Sequence, residues 1–348
     1  MRLENLVRGI VSSFILAMPS ACTPSKGSIQ DIKEHQVERK QKGFNFVSWK
    51  SEEYENLYSD NSLEEIKFLG SNFVALTPIH FQDGINSTLI YSLHGTTSTY
   101  SALRHAIEKA HRLGIKVMLK PHIELKDGNW RAMINFSSDY EYRMWFYNYQ
   151  RLIVEYAKFA QDNSVEQICI GTELDGLTSR DGDWRRLIKE IRNVFKSNIT
   201  YAATYSNARF VNWWNDLDFI GINAYFELTN KQDPSPLDLY NSWVVYLDDI
   251  KLLSDKYKKD IIFTEVGYRS LNGTNKAPWD FLSQGTTDLD EQKDAYGSIF
   301  WSFWDKSWFS GVYFWAWEAN PKNTHVLDNG YSPKGKPAEI HLMDWFNR

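Results

Sequence analysis

Cysteine is almost absent from this chain: Cys22 and Cys169 are the only two in 348 residues. Cys22 sits in a segment that reads as an export signal, so no disulfide framework is expected. The eight histidines are scattered, with no H-x-H, no H-E-x-x-H and no Cys pair. That pattern offers no metal site, and no cofactor is expected. No Gly-rich phosphate loop follows the first strand-like segment, which argues against an open doubly wound nucleotide-binding sheet. No G-x-S-x-G elbow supports a serine nucleophile. Positive charge is not in excess either: 39 Lys and Arg face 44 Asp and Glu, for a net charge of −5. Such a balance excludes a polyanion-binding surface, and with it nucleic acid as a partner.

Long apolar runs are missing as well. IVSSFILAM, from Ile10 to Met18, is too short to span a bilayer. It follows Arg2 and Arg8 and precedes PSAC, the order of an export signal. Residues 1–22 are expected to be a signal peptide, of the lipoprotein type in which Cys22 is lipidated; Pro19 and Glu4 depart from that pattern. The alternative is an ordinary signal peptide. Residues 23–42 are polar and charged and read as a tether. The chain is thus expected outside the cytoplasm, with a membrane contacted only through the lipid.

What is abundant is aromatic surface: 14 Trp, 19 Tyr and 20 Phe. Trp and Tyr pair a flat apolar face with a polar handle, which suits clefts for amphipathic ligands. Residues 43–348 alternate strand-like with helix-like segments. The strands are FNFVSW, FVALTP, KVMLKP, QICIGTE, ITYAAT, DFIGINAY, IIFTEV and GVYFWAW. Amphipathic helical stretches separate them, among them a single long one over LYNSWVVYLDDIKLLSDKY. Eight short buried-type strands alternating with helices predict one catalytic domain, a (β/α)8 TIM barrel of α/β class.

Glu173 ends the fourth strand and Glu265 ends the seventh. In such a barrel all C-terminal strand ends open on one face, so the two carboxylates should meet across one cleft. A pair of that kind suits glycoside hydrolysis: one protonates the leaving oxygen and the other attacks or assists at the sugar carbon. Their separation would be roughly 5–5.5 Å for a retaining enzyme and roughly 6.5–9.5 Å for an inverting one.

The motifs FNFVSW, KVMLKPHIEL, NWR, EQICIGTEL, YAAT, DFIGINAY, IIFTEVGYRS and YFWAW with GYSPKGKPAE resemble glycoside hydrolase family 113 from about Gly43 to the C-terminus. The resemblance implies a retaining endo-β-1,4-mannanase, with Glu173 as general acid/base and Glu265 as nucleophile. Thr172 stands where the broader clan of retaining barrel glycosidases often has Asn, and Asn223 where the family leads one to expect Asp.

Further candidates for substrate contact lie at strand ends. Lys120 and His122 follow the third strand, and His80 the second. Asn223 and Tyr225 end the sixth; Tyr225 could bond Glu265. Trp49 ends the first, and Trp315 and Trp317, sharing one side by alternation, end the eighth. Glu124 follows Lys120 and His122 on the same loop and could pair with either; Trp130 and Arg131 lie farther along the loop after the third strand, and Trp213 and Trp214 are weaker candidates. The expected partner is β-mannan or its oligosaccharides. The rivals are a β-1,4-glycanase on glucan or glucomannan, and a non-catalytic glycan-binding lipoprotein.

Overall fold

A computed structural model describes residues 40–323 and 328–348. The expected signal peptide, Cys22 and the tether up to residue 39 lie outside the described residues. Among the described residues no helix is long and apolar enough to cross a membrane.

Eight parallel strands close into a barrel: β1 (Gln41–Val47), β2 (Phe73–Leu76), β4 (Lys116–Leu119), β6 (Gln167–Thr172), β7 (Asn198–Thr204), β8 (Ile220–Asn223), β9 (Ile261–Val266) and β10 (Phe309–Glu318). Each neighbours the next in sequence, and β10 closes on β1. The helices between them are α1 (Leu57–Phe68), α2 (Tyr100–Arg112), α3 (Asp139–Asp162), α4 (Asp181–Val194), α5 (Pro236–Ser242), α6 (Val244–Tyr257) and α7 (Leu289–Phe303); α8 (Pro337–Phe346) follows β10. Covered on both faces, β6 and β9 are buried along their whole length, as their uninterrupted apolar runs require. The (β/α)8 barrel is therefore the fold.

Phe73, Ala75, Met118, Cys169, Ala202, Ile262 and Tyr313 form one buried cluster, with a residue from nearly every strand. Below it the plug is polar. The Gln41 amide donates to Gln167 at 3.1 Å, and the Tyr313 hydroxyl donates to Gln41 at 2.5 Å. This explains why β1 begins at Gln41, inside the stretch expected to be tether. Its first residue is polar, yet its side chain is satisfied within the barrel. The second, larger cluster packs the outer strand faces against the helices and includes Trp145, Trp184, Trp213 and Trp214.

Two departures bear on the site. After Pro78 and Pro121 the chain resumes as β3 (Ile79–Gln82) and β5 (His122–Leu125), a two-stranded parallel sheet above the barrel wall. Second, the helix expected over residues 239–257 is broken in two at Trp243, a fully buried residue whose indole donates to Ser298 on α7 at 2.9 Å.

Candidate active site

Glu265 is the penultimate residue of β9 and is almost wholly buried, at 7% exposure. A carboxylate there needs partners, and it has three. Lys120 Nζ donates to its Oε2 at 2.7 Å, the Tyr225 hydroxyl to its Oε1 at 2.7 Å, and Asn223 Nδ2 to Oε2 at 3.3 Å. Lys120, itself wholly buried, spends its other two N–H groups on Asn45 Oδ1 and the Thr264 carbonyl, both at 3.2 Å. Burial, then the neighbouring Glu265, hold the Tyr225 hydroxyl well above its usual pKa, so it stays a donor.

Glu173 follows the last residue of β6 and takes a left-handed backbone, φ 54°. For a residue with a Cβ this conformation costs on the order of 1 kcal/mol. Three contacts hold it there. Its own N–H bonds the Ala202 carbonyl at 2.8 Å, and the Leu174 N–H bonds the Tyr201 hydroxyl at 2.9 Å. Beyond them Gly176 presses on the Ile134 carbonyl, where a Cβ would sit 2.2 Å away. The carboxylate accepts from Trp130 Nε1 at 3.0 Å and from Asn223 Nδ2 at 2.9 Å, with Arg131 Nη1 at 3.6 Å.

One amide nitrogen thus touches both glutamates. Thr264 Oγ1 donates to Asn223 Oδ1 at 3.0 Å, which turns the NH2 group toward the carboxylates. The two oxygens it binds can be no farther apart than its two bonds end to end. Glu173 and Glu265 therefore converge.

The cationic side of the site is Lys120 and Arg131. Arg131 bonds the Ile123 carbonyl at 2.9 Å and pairs with Glu124. Burial opposes its charge, but Glu124, Glu173 and Glu265 together keep its pKa raised. His122 is buried, with Nε2 lacking any hydrogen-bond partner. Burial, then Lys120 and Arg131, drive its pKa well below the usual histidine value, so it is neutral. Its ring lies parallel to that of Trp315, centroids 6.2 Å and planes 9° apart. Trp49, 42% exposed, is pinned by its Nε1 to Glu318 at 2.8 Å, and Trp130 is 50% exposed. These two offer flat faces to solvent at the strand-end side of the barrel.

Four candidates point elsewhere. His80 pairs in register with Ile123, whereas His122 pairs with Ile79. Adjacent residues on a strand face opposite ways, so His80 turns from the glutamates and bonds Tyr156 of α3 at 2.7 Å. Trp317 is fully buried, edge-on to Phe44. The β1–β10 register slips there, with Phe44 opposite Phe314 but Phe46 opposite Trp317. That bulge ends the alternation that would have put Trp315 and Trp317 on one side. Trp213 and Trp214 are buried as well.

Sequence reading passed over Asn45, Thr264 and Asp175. Asn45 carries a signal of its own, as the one polar residue within the apolar FNFV of β1. Among the described residues no group of acidic, His or Cys side chains is arranged to hold a metal ion.

Comparison with known proteins agrees with this geometry. The model of Glycoside Hydrolase Family 113 matches residues 43–336. A solved complex of a GH113 β-1,4-mannanase is similar at 26% identity, TM-score 0.80, over 89% of this chain and 99% of that one. The GH113 β-mannanase AaManA from Alicyclobacillus acidocaldarius, in complex with ManMIm, is similar at 26% identity, TM-score 0.79, over 88% and 96%. A β-glucuronidase from an uncultured Clostridium shares the fold at 15% identity, TM-score 0.60, over 88% of this chain and 50% of that one. No curated protein sequence matches. Because the family match spans nearly the whole barrel, the chain belongs to Glycoside Hydrolase Family 113 and is a glycoside hydrolase.

Proposed function

We propose that this enzyme is a retaining, endo-acting β-1,4-mannanase. The observation that carries the reading is the single Asn223 amide bonded to both glutamates. Its two bonds bring one oxygen pair closer than the roughly 6.5–9.5 Å at which inverting enzymes hold their carboxyl groups. That convergence supports direct attack by the carboxylate over attack by a water held between carboxylate and sugar. The substrate class rests on the two β-mannanases similar to this chain.

The roles follow from the partners. Glu265 accepts from Lys120 Nζ and from the Tyr225 hydroxyl, so its Oε1 and Oε2 are aimed by fixed groups. It attacks the anomeric carbon as the glycosidic C–O bond breaks. Glu173, on the less enclosed side, gives its proton to the departing oxygen. Water then attacks the glycosyl-enzyme, loses a proton to Glu173, and Glu265 leaves with the bonding pair. The β configuration is inverted twice and so retained. The partly exposed face of Trp315, backed by the parallel ring of His122, suits stacking on a sugar ring. The faces of Trp49 and Trp130 suit flanking sugar rings of a polymer.

Linear manno-oligosaccharide digested in an NMR tube should show the β-anomeric proton first, with the α signal growing only as mutarotation proceeds. An α signal first would overturn retention. Reducing-sugar release from mannan, glucomannan and cellulose side by side should be greatest on a mannan-containing polymer. Greater release from cellulose would move the enzyme to the glucanase reading. The proposal includes export and a lipid on Cys22. The parent should partition with membranes and a C22S variant should not; equal partitioning of both would remove the anchor.

A further inference from the structure

Glu173 and Glu265 are not the only carboxylates at the mouth. Asp175 lies two residues past Glu173, on the same tight turn. Its Oδ2 accepts a 2.6 Å bond from Thr204 Oγ1, at the end of β7, and the Thr204 hydroxyl is in turn bonded by the Asn207 N–H at 3.2 Å. Asp175 Oδ1 is buried and meets no donor. A carboxylate with one oxygen bonded and the other left bare is poorly satisfied for a purely structural part, where a second donor or a neutral amide would cost less. Among the described residues no ion pair to Asp175 is formed, and Arg131 pairs with Glu124 and Glu173 instead.

We propose that Asp175 is a positioning residue for the acid/base, clamped by Thr204 beside Glu173 so that its negative charge helps Glu173 keep the proton it must donate. This rests on the reading of Glu173 as acid/base. The groups facing Asp175 are few. Glu173 shares its turn, and Thr204 and Tyr201 come from β7. Burial, opposed by the Thr204 bond and helped by the Glu173 charge, raises the Asp175 pKa to about 6. The Tyr201 hydroxyl, pushed well up by burial and then by Asp175, stays neutral. Coupling between two carboxylates is mutual. Above about pH 6, where Asp175 is charged, its field opposes loss of the acid's proton. An acid that loses its proton later works to higher pH.

D175N keeps an oxygen for Thr204 and removes the charge. Its kcat/KM profile on manno-oligosaccharide should keep the acid limb, while the alkaline limb moves to lower pH by about half a unit to one unit. With a dinitrophenyl β-mannoside, whose leaving group needs no proton, the parent and D175N profiles should superimpose on the alkaline side. A structural role would not separate the two substrates. D175S, which also keeps a partner for Thr204, serves if D175N does not fold. An alkaline limb unmoved on the oligosaccharide, or moved equally on both substrates, overturns the proposal. E173Q separates this from the underlying reading. If E173Q is inactive on oligosaccharide and the D175N limb is unmoved, only the role of Asp175 falls. An active E173Q would remove the acid/base itself.

Discussion

Glu265→Ala is expected to lower turnover of mannan by on the order of 10⁴-fold or more, with polymer binding retained. The size follows from the step that is lost. Without the carboxylate no bond to the anomeric carbon can form, and the Asn223 amide, Tyr225 and Lys120 are left aimed at an empty volume. The variant also strands Lys120, a wholly buried ammonium, with two partners where it had three. Breaking a buried pair in this way costs roughly 3–5 kcal/mol of stability. Glu265→Gln is therefore the companion variant, since its carbonyl oxygen can still accept from Lys120. Azide added to Glu265→Ala should enter the vacated space and yield an α-mannosyl azide. Near-parental activity in both variants, each shown to be folded, would place the nucleophile elsewhere.

Glu173→Ala should be selective where Glu265→Ala is not. Loss of the general acid costs about 10²–10⁴-fold when the leaving group is a sugar hydroxyl. A dinitrophenolate departs without a proton, so formation of the glycosyl-enzyme from a dinitrophenyl β-mannoside should be nearly unaffected. The second half-reaction then stalls, because no base takes the proton from water. The expected trace is a burst of one dinitrophenolate per enzyme followed by a slow phase, and azide should speed that phase and give the β-azide. Equal losses on both substrates would contradict the assignment. The Trp130 indole and Arg131, both on this carboxylate in the free enzyme, would have lost their partner without touching the chemistry at Glu265.

Which parts of this arrangement were readable beforehand depends on which physical rule governs them. Glu173 and Glu265 stand out because an ionisable group at the end of an apolar run is costly unless it is used, and a parallel barrel sends every such end to one face. Lys120, Asn223 and Tyr225 follow by the same logic from strand ends and Trp130 from the loop beyond one; Lys120 and Tyr225 bond Glu265, Trp130 bonds Glu173, and Asn223 bonds both. Side-chain direction was less legible wherever the backbone resets its alternation. Pro78 ends β2, and the parity of β3 starts afresh, so His80 faces α3. The slip between β1 and β10 buries Trp317. Gln41 and Lys42 read as tether because polarity usually marks solvent, but the barrel floor satisfies Gln41 internally through Gln167 and Tyr313. Asp175 was missed for the opposite reason: a short acidic residue after a strand is ordinary, and only its bare buried oxygen sets it apart.

A mechanism-based label puts the central claim to its most direct test. A 2-deoxy-2-fluoro β-mannosyl fluoride loses fluoride readily but forms an intermediate that hydrolyses slowly, because the electronegative substituent destabilises the cationic transition state. Intact mass should rise by one fluorosugar, and peptide mapping should place it on the IIFTEVGY segment at Glu265. A label on another residue, or none at all under conditions where fluoride is released, would contradict a nucleophilic Glu265.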